Sequence, residues 1–193
     1  MSTLVIVAAL LLITGIAGLL GVAIRQGNAS AIVNGAVALA AAFVPFGLGL
    51  LGPTAFEPVL ALWVAAAGLL HLIGMLGPYE TISWWDHVTH TVSAALVAAL
   101  LYAVLLARTT LPAESAAGIT VLAVLVVGIL WEAVELLARA VGERYGIEPV
   151  LVPYGWRDTA LDLVFDLLGA VIVVVFDLRV FVAVVRRVTG LLG

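Results

Sequence analysis

Apolar runs of about 20 residues, the length that carries an α-helix across a bilayer core, recur about six times along this chain. They fall at about 3–24, 30–51, 57–77, 86–107, 115–140 and 158–179. Hydrocarbon offers the backbone no hydrogen-bond partners, so such segments are confined to helices that satisfy their N–H and C=O groups internally. The expected fold is an all-α, polytopic transmembrane bundle of about six helices, forming a single integral membrane domain over residues 1–193. Composition agrees, since 65% of residues are hydrophobic and 10% charged, against about 25% charged in soluble domains. A multi-pass protein of the cell membrane, in contact with membrane lipid, is the expectation. The first 25 residues lack the basic start of a signal peptide and read as a retained helix.

Turn chemistry marks the breaks: Gln26-Gly27-Asn28, Gly52-Pro53, Gly77-Pro78 and Arg108 to Pro112. The last break, 142–157, is the one sizeable loop. With Tyr145, Pro149, Pro153, Tyr154 and Trp156 it is expected to fold over the bundle as a lid. The tail 180–193, with Arg186 and Arg187, reads as an interfacial amphipathic helix or an extension of the sixth span. Gly15, Gly18 and Gly21 suit close helix packing, and Pro45 is expected to bend the second helix.

Half of the twelve acidic residues lie inside these apolar spans, beside histidine. The phrases are Asp86-His87-Val88-Thr89-His90, then Glu132 and Glu135, then Asp158, Asp162 and Asp166. An ionisable group in hydrocarbon costs a few kcal/mol unless paired, hydrated or metal-bound, so these residues are candidates for function. With six spans, the start of the fourth, the end of the fifth and the start of the sixth meet at one membrane face. His71 and Asn34 join them, and a rise of 1.5 Å per residue places most of these groups within roughly 12 Å of one surface. Arginines near the membrane tie at four per face: Arg108, Arg179, Arg186 and Arg187 against Arg25, Arg139, Arg144 and Arg157. If Arg157 belongs to the site, the positive-inside rule leans toward a site on the outer face.

Asp86 and His90 are four apart and share a helical face. A carboxylate that accepts a ring N–H orients an imidazole as metal ligand or base. Carboxylates and histidines three or four apart on facing helices are how bundles hold metals. The catalytic candidates are Asp86, His90, Glu132, Glu135, Asp158 and Asp162. The metal-ligand candidates are His87, His90, Glu132, Glu135, Asp162 and Asp166, with His71 as a further donor. Oxygen and imidazole donors suit Zn, Mn or Fe, or Mg with fewer histidines. Arg157, Trp85 and Trp156 are candidates for substrate binding, the arginine as a bidentate phosphate clamp. The structural alternatives are that Trp84, Trp85 and Trp156 anchor the interface, that Asp158 caps its helix, and that Asp177 and Arg179 form a solvated helix end. The chain has neither cysteine nor lysine, which excludes disulfides, thiolate metal sites and Schiff-base chemistry. A net charge of −4 without a basic tract argues against a nucleic-acid partner.

In these motifs the chain resembles the YjdF-like group of small integral membrane proteins. The pattern Asp-x-x-x-His, Glu-x-x-Glu and Asp-Thr-x-x-Asp followed by Gly-Ala reads here as Asp86 to His90, Glu132 to Glu135, and Asp158 to Asp162 with Gly169-Ala170. A more distant resemblance to VanZ-like proteins rests on the Asp-x-x-x-His and a late acidic motif. The resemblance implies that the motifs share one site and supplies no substrate. Two functional readings follow: a metal-dependent membrane enzyme acting on a lipid or lipid-linked head group, and a cation- or proton-coupled transport protein. A non-catalytic polar network is the structural alternative, and haem ligation by His71 and His90 is a further one.

Overall fold

A computed structural model describes residues 2–52, 55–146, 151 and 155–192. Among them the chain is all-α, with helices α1 (Ser2–Gln26), α2 (Ala29–Leu48), α3 (Pro58–Met75), α4 (Pro78–Thr81), α5 (Trp85–Arg108), α6 (Ala113–Tyr145), α7 (Trp156–Val175) and α8 (Val182–Leu192). The breaks act through the chemistry visible in the sequence. Asn28 caps α2 by accepting the Ala31 N–H at 2.8 Å. Glu57 caps α3, with Pro58 in its first turn. Gly77 and Gly146 take the positive φ values of 138° and 64° that end α3 and α6.

Five of these helices, α1, α2, α3, α5 and α6, are long and apolar enough to cross a membrane. The sixth, α7, has 20 residues, but Asp158, Asp162 and Asp166 lower its apolar character. Its packing places it beside them. His90 on α5 meets Asp166, 76 positions later, and Tyr102 meets Asp177, 75 positions later. A constant offset means that α5 and α7 run parallel, over 12 residues of α5 or about 18 Å of rise. Among the described residues five helices therefore qualify as spans where about six were expected, and α7 packs along α5 with Asp162 and Asp166 buried.

The helices sort into two halves. Ile13 and Ile16 of α1, Ala31 and Ala38 of α2, and Ala65 and Leu72 of α3 form one core. The other gathers Ala95, Ala98 and Tyr102 of α5, Ala170 and Val173 of α7, and Phe181 and Val184 from the tail. Two indoles join the halves: Trp63 Nε1 donates to the Val92 carbonyl at 3.1 Å, and Trp85 Nε1 to the Leu70 carbonyl at 3.1 Å.

Several expectations need correction. The fifth span does not stop near 140: α6 is 33 residues long, about 50 Å by helical rise, against about 30 Å of hydrocarbon. Its end is polar and carries the exposed Arg139–Glu143 ion pair at 2.8 Å. The tail separates from α7 at Asp177, whose φ is 48°, and forms α8 with Phe181 and Val184 inward and Arg186 and Arg187 exposed. Of the three α1 glycines only Gly15 meets a neighbour, Leu69. Pro45 lies inside α2 as expected, and after Leu48 the chain tightens into a 3-10 turn, Gly49–Leu51. Of the expected lid, Pro149, Pro153 and Tyr154 lie outside the described residues, while Tyr145 and Trp156 belong to helices and are exposed.

Candidate functional site

The steps of four residues put Asp86 and His90 on one face of α5, and Asp158, Asp162 and Asp166 along one stripe of α7. Two glycines let these faces meet. A Cβ at Gly169 would lie 2.5 Å from the Thr91 carbonyl oxygen and 2.8 Å from the Ala95 nitrogen, so the α5 and α7 backbones approach as only glycine permits. A Cβ at Gly128 would lie 2.6 Å from Asp166 Oδ2, so α6 closes on the same carboxylate.

His90 is the hub. Its Nδ1 lies 3.1 Å from Asp166 Oδ1 and donates to it. That bond directs Nε2 at two other carboxylates, Asp86 Oδ1 at 3.6 Å and Asp162 Oδ1 at 3.8 Å. The three side chains are 14%, 21% and 3% exposed. With the proton on Nδ1 alone, Nε2 presents a lone pair to two carboxylate oxygens; with both ring nitrogens protonated, Nε2–H faces the same oxygens as an ion pair. Asp162 Oδ1 is buried without a hydrogen-bond partner. One ligand atom from each of Asp86, His90 and Asp162 lies within 4.8 Å of the other two. At 3.6 and 3.8 Å the two contacts of Nε2 are ion-pair separations, longer than direct hydrogen bonds.

Other candidates divide by neighbourhood. Glu132 is 5% exposed and its Oε1 is also buried without a partner; it adds a further acceptor on the α6 side. Glu135 instead accepts the Trp131 indole N–H at 2.8 Å. His87 turns away from His90 and stacks on Phe165, with ring centroids 4.2 Å apart and 9° between planes. The Asp86–His90–Asp162 group does not include His87, whose Nδ1 is buried without a hydrogen-bond partner. Asp166 orients His90 rather than joining the three facing donors. Asp158 is the third residue of α7; the N-cap position belongs to Gly155, so the capping alternative does not hold.

His71 stands in a separate network. Its Nε2 lies 3.2 Å from Asn34 Oδ1, while Asn34 Nδ2 donates to the Ser30 carbonyl, so Nε2 donates. Its Nδ1 lies 2.7 Å from the Tyr79 hydroxyl. Tyr79 also lies 3.3 Å from Thr89 Oγ1, and Thr89 donates to the Asp86 carbonyl at 2.8 Å. Both His71 nitrogens are thereby occupied, which leaves none for haem iron. Sequence reasoning missed Tyr79 and Thr89. Tyr79 sits on the short α4, and its ring fills space kept open at Gly74, where a Cβ would approach it to 2.5 Å. The Gly77-Pro78 turn was the available signal.

The three substrate-binding candidates do not converge. Trp156 is 78% exposed, and the exposed Arg157 lies over its ring, 5.6 Å from the centroid. Trp85 is a packing anchor through its bond to Leu70. None of the three lines the large cavity between the two halves. That cavity has a volume of about 640 Å³. His71, Asp86, His90 and Asp166 line its polar end, and Glu135 and Asp158 also face it. Its apolar part runs to Ala41, Val64, Val97 and Val124, and Leu151 of the 142–157 segment lines it as well. Beyond that level Leu60, Tyr102 and Phe181 are buried core and do not line the cavity.

At that other end Tyr102 donates to Asp177 Oδ1 at 2.8 Å, and Arg179 Nε donates to both Asp177 oxygens at 2.7 and 2.8 Å. The half-exposed pair is solvated as expected, and it also anchors the end of α5 to the turn after α7.

Comparison with known proteins adds one result. No curated protein and no solved structure matches the chain. A family sequence model matches residues 7–183, nearly the whole chain, and spans every element of the site. The VanZ-like resemblance finds no support in that match. The chain therefore belongs to the family described as predicted membrane protein, DUF2238.

Proposed function

We propose that Asp86, His90 and Asp162 hold a divalent cation, and that the protein is a membrane enzyme, resident in the cell membrane and acting on a lipid from within the bilayer. The YjdF-like resemblance fits the family membership and the clustering of its motifs. One observation carries the reading: His90 Nε2, directed by Asp166, faces two carboxylate oxygens, one of them buried without a partner. Buried acceptors that confront one another need a proton or a cation between them, and a divalent cation satisfies all three at once. One imidazole and two carboxylates suit Zn, Mn or Fe(II). Bound there, such an ion would lower the pKa of water and polarise a carbonyl or phosphoryl oxygen. The chain's own residues supply the rest. Asp166 keeps His90 in one tautomer, Glu132 offers a buried carboxylate as base or further ligand, and the apolar walls exclude water.

Transport is the second reading, and the polar chain from Asn34 through His71, Tyr79 and Thr89 to Asp86 favours it. That chain runs across the bundle at one depth, however, and the buried core of Leu60, Tyr102 and Phe181 does not line the cavity. A pathway needs polar groups continuing to the opposite face, so the enzyme reading is preferred.

Elemental analysis after equilibration with Zn, Mn or Fe(II) tests the proposal on wild type, Asp162→Asn and His90→Ala. About one ion per chain, lost in both variants, supports it. Wild type that retains no ion rejects it, and cation uptake into proteoliposomes abolished by Asp162→Asn would move the assignment to transport.

A further inference from the structure

The cavity's lining specifies a ligand class by its charge. Besides Asp86 and His90, which belong to the cation site, four carboxylates line it, those of Glu80, Glu135, Asp158 and Asp166, together with His71. No arginine does, although all eight basic residues of the chain are arginine. An anionic head group would meet like charge on several sides and no guanidinium to clamp it. A cationic head group would meet complementary charge. Asp162 Oδ1, 3.8 Å from His90 Nε2 and buried without a partner, lies behind this wall and belongs to the cation site.

The rest of the cavity is shaped for hydrocarbon. From His90 to Val97 on α5, and from His71 to Val64 on α3, it offers about 10 Å of mostly apolar wall on each helix. Its volume of about 640 Å³ falls in the range of small-molecule sites, roughly 300–1,000 Å³. Val37 of α2 and Val127 of α6 both line it and are 63% and 43% exposed. The apolar wall therefore reaches the surface of the bundle at α2 and α6.

We propose that this cavity binds a long-chain primary amine, its ammonium group among the carboxylates and its alkyl chain along the walls of α2, α3, α5 and α6. The inference extends the enzyme reading by naming its substrate class as amino-lipids rather than phospholipids. It stands on the lining rather than on the cation site, and the two fail separately.

Native mass spectrometry of the full chain in a neutral detergent, with dodecylamine, dodecanol and dodecyl phosphate as probes, tests it. Dodecylamine is expected to bind at least about ten-fold more tightly than either competitor, roughly one decade of Kd. Ala67→Phe, which fills the apolar half from α3, is expected to weaken amine binding by about ten-fold or more and to keep its metal. Ala41→Leu makes the same test from the opposite wall with a smaller side chain, should the phenylalanine prevent folding. Asp162→Asn is expected to lose metal and still bind the amine. Phosphate binding as tight as amine binding, or amine binding indifferent to both cavity-filling variants, overturns the inference. Metal loss in Asp162→Asn with this ranking unchanged supports both claims, whereas amine selectivity in a wild type that takes up no metal supports the inference and rejects the cation site alone.

Discussion

His90 and Asp166, 76 residues apart in sequence, meet at 3.1 Å between two parallel helices, and this one bond decides which atom of His90 faces the other carboxylates. Asp166→Asn should therefore weaken metal binding without removing a ligand. Loss of such an orienting partner typically reduces affinity by about 10–100-fold. Metal titration of purified Asp166→Asn checks this. Unchanged affinity would show that His90 is held by packing alone.

Gly169→Ala is expected to destabilise the fold, since its Cβ would sit 2.5 Å from the Thr91 carbonyl oxygen. Backbone rather than a mobile side chain lies opposite, so α5 and α7 must separate. Overpacking of this kind costs about 1–3 kcal/mol. Thermal unfolding in detergent would reveal it, and metal affinity should fall in parallel because both sides of the site move.

Tyr79→Phe removes the hydroxyl between His71 and Thr89. A stability loss of about 1 kcal/mol is expected from the orphaned partners, with metal content unchanged because Tyr79 touches none of the three facing donors. Metal loss in this variant would mean that the network holds Asp86 in place.

At the opposite end, hydrogen bonds from Arg179 and then Tyr102 hold the Asp177 carboxyl below its ordinary pKa of 3.8. A depressed folded-state pKa adds stability that is complete above the unfolded value and lost as pH falls through the folded one. Thermal stability of the wild type should therefore drop more steeply than that of Asp177→Asn between about pH 5 and pH 2. Coincident curves would show that the Tyr102–Asp177–Arg179 cluster contributes nothing to folding.

The all-helical membrane bundle and the order of its long apolar segments were legible in the chain, because hydropathy acts locally and lipid leaves the backbone one choice. Asp86 with His90, and the stripe through Asp162 and Asp166, were legible for the same reason, since a step of four is a property of one helix. What the sequence could not separate was role. His87 and His90 look alike in the chain, yet one stacks on Phe165 and the other faces two carboxylates. Arg157 looked like a clamp and lies over Trp156 at the surface. Tyr79 gave little sign of itself, being placed by a four-residue helix. These distinctions depend on which helices pack, in which direction and how closely. Gly169 and Gly128 determine that closeness by the absence of a side chain, and its effect exists only where a second backbone or carboxylate arrives to use the space.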